Sequence, residues 1–270
     1  MTSSLVGSEM CIRDRPIIML IVLSFNGTNS TSVIQGFSTK WYVELFKDSA
    51  TINALTNTLI LAVTSAITAT VIGTLAAVGI DKMKKGVVKS SVMTVTNIPM
   101  MNPEIVTGVS MMLLFVFAGK IVSSSSVLGF PTLLIAHVTF NLPYVILSVL
   151  PKLRQTDRHL SEAAQDLGCT PTSAFFKVVL PNIKSGIITG FIMAFTLSLD
   201  DFIISYFVSG AKFQTLPIVI FSMTKKKVKP DMYALSTLIF VSVLVLMILM
   251  NVLQARSEKK ERKRAKGSEG

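Results

Sequence analysis

Between Thr51 and Ile80 the chain carries no charged residue. A helix needs about 20 predominantly apolar residues to cross the hydrocarbon core of a bilayer, so this run is long enough to span one. In lipid every backbone N–H and C=O must find a partner inside the protein, which restricts spanning segments to helices and closed barrels. The run is rich in Thr and Ala, small or weakly polar residues that suit close helix packing in a membrane. The remaining composition agrees. The chain is 50% hydrophobic and 15% charged, against about 25% charged in typical soluble domains. The expected fold class is all-α, a polytopic membrane protein with no soluble block long enough to form a domain.

Further apolar runs follow. Val87 to Ala118 reads as a span interrupted around Pro99 and Pro103, each of which lacks a backbone donor and should bend or break the helix. Glu104 sits in that break. Gly129 to Leu150 is the next span and holds His137, Asn141 and Pro143. A fifth begins near Ile183, carries Gly186 and Gly190 as a G-x-x-x-G packing motif, and ends around the adjacent acids Asp200 and Asp201. Met232 to Leu253 is the last. Pro16 to Phe25 is apolar but too short to cross. The preceding segment, residues 1–15, is polar and resembles an adapter-derived artefact of translated sequencing data. The expectation is six transmembrane helices, the first truncated, with a non-native segment at 1–15, a permease domain at 16–255 and a basic tail at 256–270.

The net charge of +11 does not mark a nucleic-acid partner in a chain this apolar. Basic residues gather in the cytoplasmic loops of membrane proteins. The Asp81–Lys89 connection, the 152–182 loop and the tail from Arg256 to Lys266 are the basic segments, and they place both termini in the cytoplasm. The tail is expected to rest on anionic lipid heads. Lys212, Lys225, Lys226, Lys227 and Lys229 run against the rule on the outer side and are expected to face a partner that binds there. In the polar connection from Asn26 to Ala50, the run around Phe37, Trp41, Tyr42 and Phe46 suggests a short interfacial helix with aromatic anchors.

One long segment has helical patterning without membrane-like hydrophobicity: Thr156 to Pro181. Thr156 can cap a first helix. Leu160, Ala163, Ala164 and Leu167 then fall at i, i+3, i+4 and i+7, forming one apolar stripe. Asp157, Ser161, Glu162, Gln165 and Asp166 take the polar side. Gly168 supplies the turn that ends the helix. Thr170 and Pro171 read as the cap and first residue of a second helix with a face of Phe175, Phe176, Val178 and Val179, and Pro181 is expected to stop it.

Glu162-Ala163-Ala164, Asp166-Leu167-Gly168, Leu180-Pro181 and Gly186 resemble the E-A-A loop of ATP-binding cassette (ABC) importer permeases of the MetI-like family, with every anchor position filled. In that family the loop is a coupling helix that docks in a groove of a cytoplasmic ATPase. The resemblance implies Glu162, Ala163, Ala164, Asp166, Leu167, Gly168 and Pro181 as coupling residues. Small residues allow the close approach that a helix-in-groove contact requires. A DNA-reading helix–turn–helix would have no reason to sit between two membrane spans.

The chain shows no chemistry of its own. There is no phosphate-cradling glycine loop with its lysine, no nucleophile elbow and no zinc-protease helix motif. His137 and His159 are too isolated for a metal site. Cys11 and Cys169 have no metal or redox spacing. No enzyme activity, cofactor or metal is expected. His137 reads as a packed, hydrogen-bonded residue. The intramembrane acids are the informative groups, because a carboxylate costs roughly 2.5–3.5 kcal/mol at a helix centre and marks function by default. Asp200, Asp201 and Glu104 together suggest an anionic translocation path for a cation. Of the adjacent pair Asp201 is favoured, since its i+4 neighbour on a continuous helix is the polar Ser205; the competing reading is that the two acids cap an interfacial helix.

The segments around Glu104, around Asp200-Asp201 and after Lys212 further resemble spermidine/putrescine importer permeases of the PotC type, over nearly all of the chain from Pro16 to Leu253. The resemblance implies a bacterial inner-membrane complex of two different permeases, two copies of an ATPase and an extracytoplasmic binding protein. Permeases for ferric iron, phosphonates or opines are the alternatives within the class. Outside it, an ion-coupled secondary transporter would use Asp200 and Asp201 as a proton relay, but it would need no ATPase dock.

Overall fold

The computed structural model describes residues 18–19, 21–27, 36–84, 86–121, 128–157, 159–210 and 213–225, and, further on, 233–238, 240–242, 244–245, 248, 251–252 and 255. Among them the chain is helical, and the only β feature is an isolated bridge between Asn26 and Phe37. The helices are α1 (Lys40–Lys47), α2 (Ser49–Lys82), α3 (Val87–Met101), α4 (Glu104–Ile121), α5 (Phe130–Gln155), α6 (His159–Asp166), α7 (Pro171–Asn182), α8 (Lys184–Asp200), α9 (Ile203–Val208) and α10 (Leu216–Thr224). A shorter apolar helix, Tyr233–Ser242, follows.

Among the described residues α2, α4 and α5 are each long and apolar enough to cross a membrane, and α7 with α8 makes a fourth candidate, bent by 70°. The first and last of the six expected spans fall partly on residues outside those described. The third expected span is two helices. Asn102 takes an extended conformation (φ −79°, ψ 141°) because the ring of the following Pro103 disfavours the helical region for the residue before it. Pro99, expected to share in the break, lies within α3.

The chain forms two compact units, Met1–Thr56 with Leu216–Leu249, and Asn57–Thr215 with Met250–Gly270. In the first, Ala54, Leu216, Val219 and Leu235 make a small apolar core. The aromatic anchors around α1 depart from expectation at Trp41, which is buried and donates its ring N–H to the Asn26 carbonyl at 2.6 Å. Phe37 stays exposed, stacked on Phe25 with ring centres 5.0 Å apart.

The second unit is centred on α5. Leu61, Leu133, Ala136, Phe140, Ile204 and Val208 form its core. The G-x-x-x-G pair of α8 lies against α5. A Cβ on Gly186 would sit 2.9 Å from the Ser148 carbonyl oxygen, and one on Gly190 would sit 3.2 Å from the Val145 Cα. Glycine is required there because any side chain would push the two backbones apart. Three threonines of α2 satisfy their hydroxyls within the helix: Thr56 bonds the Ile52 carbonyl at 2.9 Å, Thr64 the Ile60 carbonyl at 2.6 Å and Thr68 the Thr64 carbonyl at 2.8 Å. A hydroxyl paired this way carries no unmet hydrogen bond into lipid.

Candidate functional site

The loop between α5 and α8 forms as a helix–turn–helix, with two local corrections. Thr156 does not cap α6. It ends α5, where its N–H and hydroxyl return to the Lys152 carbonyl at 3.1 and 2.9 Å. The first turn of α6 is capped one residue on, by the Asp157 carboxylate accepting the His159 N–H at 3.0 Å. At the other end, Gly168 takes φ +88°, the Cys169 N–H reaches the Ala164 carbonyl at 3.1 Å, and the Gly168 N–H reaches the Gln165 carbonyl at 2.8 Å. This paired closure is the left-handed cap that glycine favours. Thr170 caps α7 by accepting the Ser173 N–H at 3.3 Å, with Pro171 as its first residue.

Pro181 does not stop α7 directly. The helix widens into a π turn over Phe175–Val179, and the Leu180 N–H bonds back to Phe175. In a regular helix the Pro181 ring would press on the carbonyl four residues earlier; the wider turn relieves that contact. The helix ends at Ile183, and the chain then turns through 70° into α8.

No residue of α6 is buried. Leu167 is 88% exposed and Leu160 44% exposed, and Ala163 between them is exposed as well. The apolar stripe of the helix is therefore open. Asp157, Ser161, Glu162 and Gln165, from its polar side, line a cleft of about 630 Å³ that Lys82, Lys84 and Lys89 help to close. Glu162 also accepts from or pairs with His159 across one turn, at 3.1 Å. Lys89 is committed locally, donating to the Asp81 carbonyl at the end of α2 and to the Met83 carbonyl just beyond it.

The acids lie at two helix breaks. Glu104 is the first residue of α4, directly after the Asn102–Pro103 break, and is exposed. The fifth expected span breaks at Asp201 (φ −62°, ψ 119°), which separates α8 from α9. Asp200 is the last residue of α8 and is exposed. The two breaks are brought together because α4 packs on α9 at Gly108, where a Cβ would meet the Phe207 ring at 3.2 Å. Among the described residues no cation lies within ion-pair distance of Glu104 or Asp200.

Asp201 is placed differently from its neighbour. Its side chain is 5% exposed, and its carboxylate accepts the Ser205 N–H at 2.8 Å and the Ile204 N–H at 3.3 Å. The i+4 argument that favoured Asp201 as the open acid assumed a continuous helix; with the helix broken, Asp201 caps α9 and Asp200 is left open. The same carboxylate lies 3.4 Å from Nε2 of His137. The other ring nitrogen, Nδ1, lies 3.2 Å from the Ser198 hydroxyl, which is held in turn by Asn141 Nδ2 at 2.7 Å and the Ser65 hydroxyl at 2.8 Å. Sequence reasoning treated His137 singly, named Asn141 in the same span without a role, and missed Ser65 and Ser198. Their signal was polar side chains inside apolar runs, a signal too common in membrane helices to single them out.

Lys212, Lys226, Lys227, Lys229, Cys11 and the tail from Arg256 lie outside the described residues. Lys225 places its ammonium over the Phe221 ring at 4.6 Å.

Apolar spanning helices, broken where acids sit, and an open polar helix–turn–helix carried between two of them define a multi-pass membrane permease. The chain belongs to the family of binding-protein-dependent transport system inner membrane components, whose model matches residues 69–263. It is 39% identical over 244 residues to the putrescine transport system permease protein PotI of Escherichia coli K12, covering 90% of this chain and 87% of that one. Against the spermidine/putrescine transport system permease protein PotC of the same strain it is 39% identical over 246 residues, covering 91% and 90%. A chain in the crystal structure of a bacterial ABC transporter involved in the import of the acidic polysaccharide alginate shares the fold, with a TM-score of 0.73, 16% identity and 94% of each chain covered. The chain is thus a transporter permease subunit of an ABC import system, not itself an enzyme, and a multi-pass membrane protein.

Proposed function

We propose that this chain and a different sister permease together form the path of a polyamine importer for spermidine or putrescine. The observation that carries this reading is the pair of open carboxylates, Asp200 and Glu104, each at a helix break, with the helices that follow the two breaks packed on each other at Gly108. Polyamines carry several positive charges at neutral pH, and a cation leaving bulk water needs compensating charge. Broken helices are where transporters place such groups. The names of the two Escherichia coli relatives support the same substrate class. Asp201 and Ser205 stand behind Asp200 and shape the break.

Transport is driven by ATP hydrolysis on two copies of a separate ATPase at the cytoplasmic face. The contact is made by α6 through Glu162, Ala163, Ala164, Asp166, Leu167 and Gly168, with the bend after Pro181 carrying the movement into α8. The open stripe on α6 fits a groove on such a partner. An extracytoplasmic binding protein delivers the substrate. Both termini are cytoplasmic, and the basic tail rests on anionic lipid.

The test is ATP-dependent uptake by the complex reconstituted with its sister permease, ATPase and binding protein. Wild type should accumulate labelled spermidine or putrescine. The Asp200→Asn, Glu104→Gln double variant should assemble normally and lose most of that uptake. Normal uptake by the double variant would remove the physical support for the polyamine path. Transport of ferric iron, a phosphonate or an opine in place of a polyamine would replace the substrate class and leave the machine intact.

A further inference from the structure

We infer that His137 is a positioning residue that pins the break between α8 and α9 and so aims the Asp200 carboxylate. The imidazole comes from α5 and is 2% exposed, yet it reaches both sides of the break. Its Nδ1 meets Ser198 on α8, and its Nε2 meets Ser205 on α9 at 3.2 Å and the Asp201 carboxylate at the break itself. One side chain from a neighbouring helix therefore ties the last turn of α8 to the first turn of α9. Each ring nitrogen has a hydroxyl within hydrogen-bond distance, so the imidazole donates through one nitrogen and accepts through the other. Ser198 also accepts from Asn141 Nδ2 at 2.7 Å and lies 2.8 Å from the Ser65 hydroxyl. The cluster joins α2, α5, α8 and α9 around one point.

Asp200 is the residue directly before this pinned point. A break held by side-chain bonds can hold only the bend those bonds allow, because losing one of them leaves a buried partner unpaired. With the imidazole removed, the Asp201 cap and the apolar packing of α9 on Leu133, Ala136 and Phe140 remain, but no side chain of α5 is hydrogen-bonded to both sides of the break. Asp200 then samples a range of directions in place of one. This inference rests on the reading of Asp200 as a path residue, so its test has two readouts.

The first readout is distance. In the full complex, with Cys11→Ser and Cys169→Ser in this chain, spin labels are placed at Met193→Cys on α8 and Tyr206→Cys on α9. The wild-type background should give one narrow distance distribution. His137→Ala should broaden it or shift its centre, and His137→Gln, which keeps one donor and one acceptor, should restore part of it. The second readout is spermidine uptake: His137→Ala should raise KM about tenfold, the size of one lost buried hydrogen bond, with Vmax changed much less. If His137→Ala does not assemble, the Ser198→Ala, Ser205→Ala pair removes both partner hydroxyls while leaving the imidazole volume in place, and should give the same two results. An unchanged distance distribution in the assembled variants overturns the inference. So does a wild-type KM with Asp200→Asn impaired in the same preparation. A wild-type complex that moves no polyamine while the labels respond to His137→Ala would instead sink the substrate reading and leave the pinning in place.

Discussion

Replacing Gly168 separates backbone strain from crowding in the coupling loop. The residue has φ +88°, and a Cβ built on it meets nothing within 4 Å. A larger side chain is therefore penalised in this chain for its conformation alone. The left-handed region costs an ordinary L-residue roughly 1–2 kcal/mol, and a β-branched one sits at or above the upper end of that range. Helix α6 has eight residues and none is buried, so no packing energy absorbs the cost. Isolated helices this short are marginal, and α6 is held by its two caps. The penalty therefore falls on the fraction of molecules with α6 ordered. Because about 1.4 kcal/mol is a factor of ten, Gly168→Val at about 2 kcal/mol should cut that fraction, and with it the apparent affinity for the ATPase, by up to about 30-fold. Gly168→Ala should cost about fivefold, and Gly168→Asn less, since Asn tolerates the left-handed region. The assay is titration of the purified ATPase onto the permease pair in lipid nanodiscs, with ATP-dependent uptake measured alongside. The expected order is Gly, Asn, Ala, Val. Wild-type affinity for the Val variant would refute the reasoning. So would an Asn variant as weak as Val, which would place the penalty in side-chain bulk against the docked partner.

Glu162→Lys reverses a charge that is exposed beside His159 on the cleft wall; uptake should fall together with ATPase binding, with permease assembly unchanged, and normal pull-down with normal uptake would count against α6 as the dock. Gly186→Ala brings a methyl to 2.9 Å from a backbone oxygen of α5, an overpacking that should cost about 1–3 kcal/mol and show as a lower melting temperature of the complex in detergent. Gly190→Leu should do more harm than Gly186→Ala, because the bulk lands on the backbone at Val145; unchanged melting in both would mean that α8 and α5 separate at little cost. Thr170→Ala removes the cap on α7 and should loosen that helix by about 1 kcal/mol, read as faster amide exchange at Ser173 with little change in melting temperature.

Some of this was legible in the residues alone because it depends on contacts between near neighbours in sequence. A charge-free run long enough to cross a bilayer marks a candidate spanning helix. Gly168 ends α6 and Thr170-Pro171 starts α7 because caps are settled by the few residues around them. The glycines of α8 announced a close helix contact by their spacing, although not which helix would fill it. Proline marked the α3–α4 break, but which of Pro99 and Pro103 would break the helix depended on the chain around them. The tertiary structure decided the rest. Asp200 and Asp201 are equivalent in sequence and opposite in place, one open and the other turned onto the N–H groups of α9. That choice follows from a helix break stabilised by His137, Ser198 and Ser205, residues separated by as many as 68 positions along the chain. Hydrogen bonds between side chains that distant leave no period or cap in the sequence, because they exist only once α5 has been laid against α8 and α9.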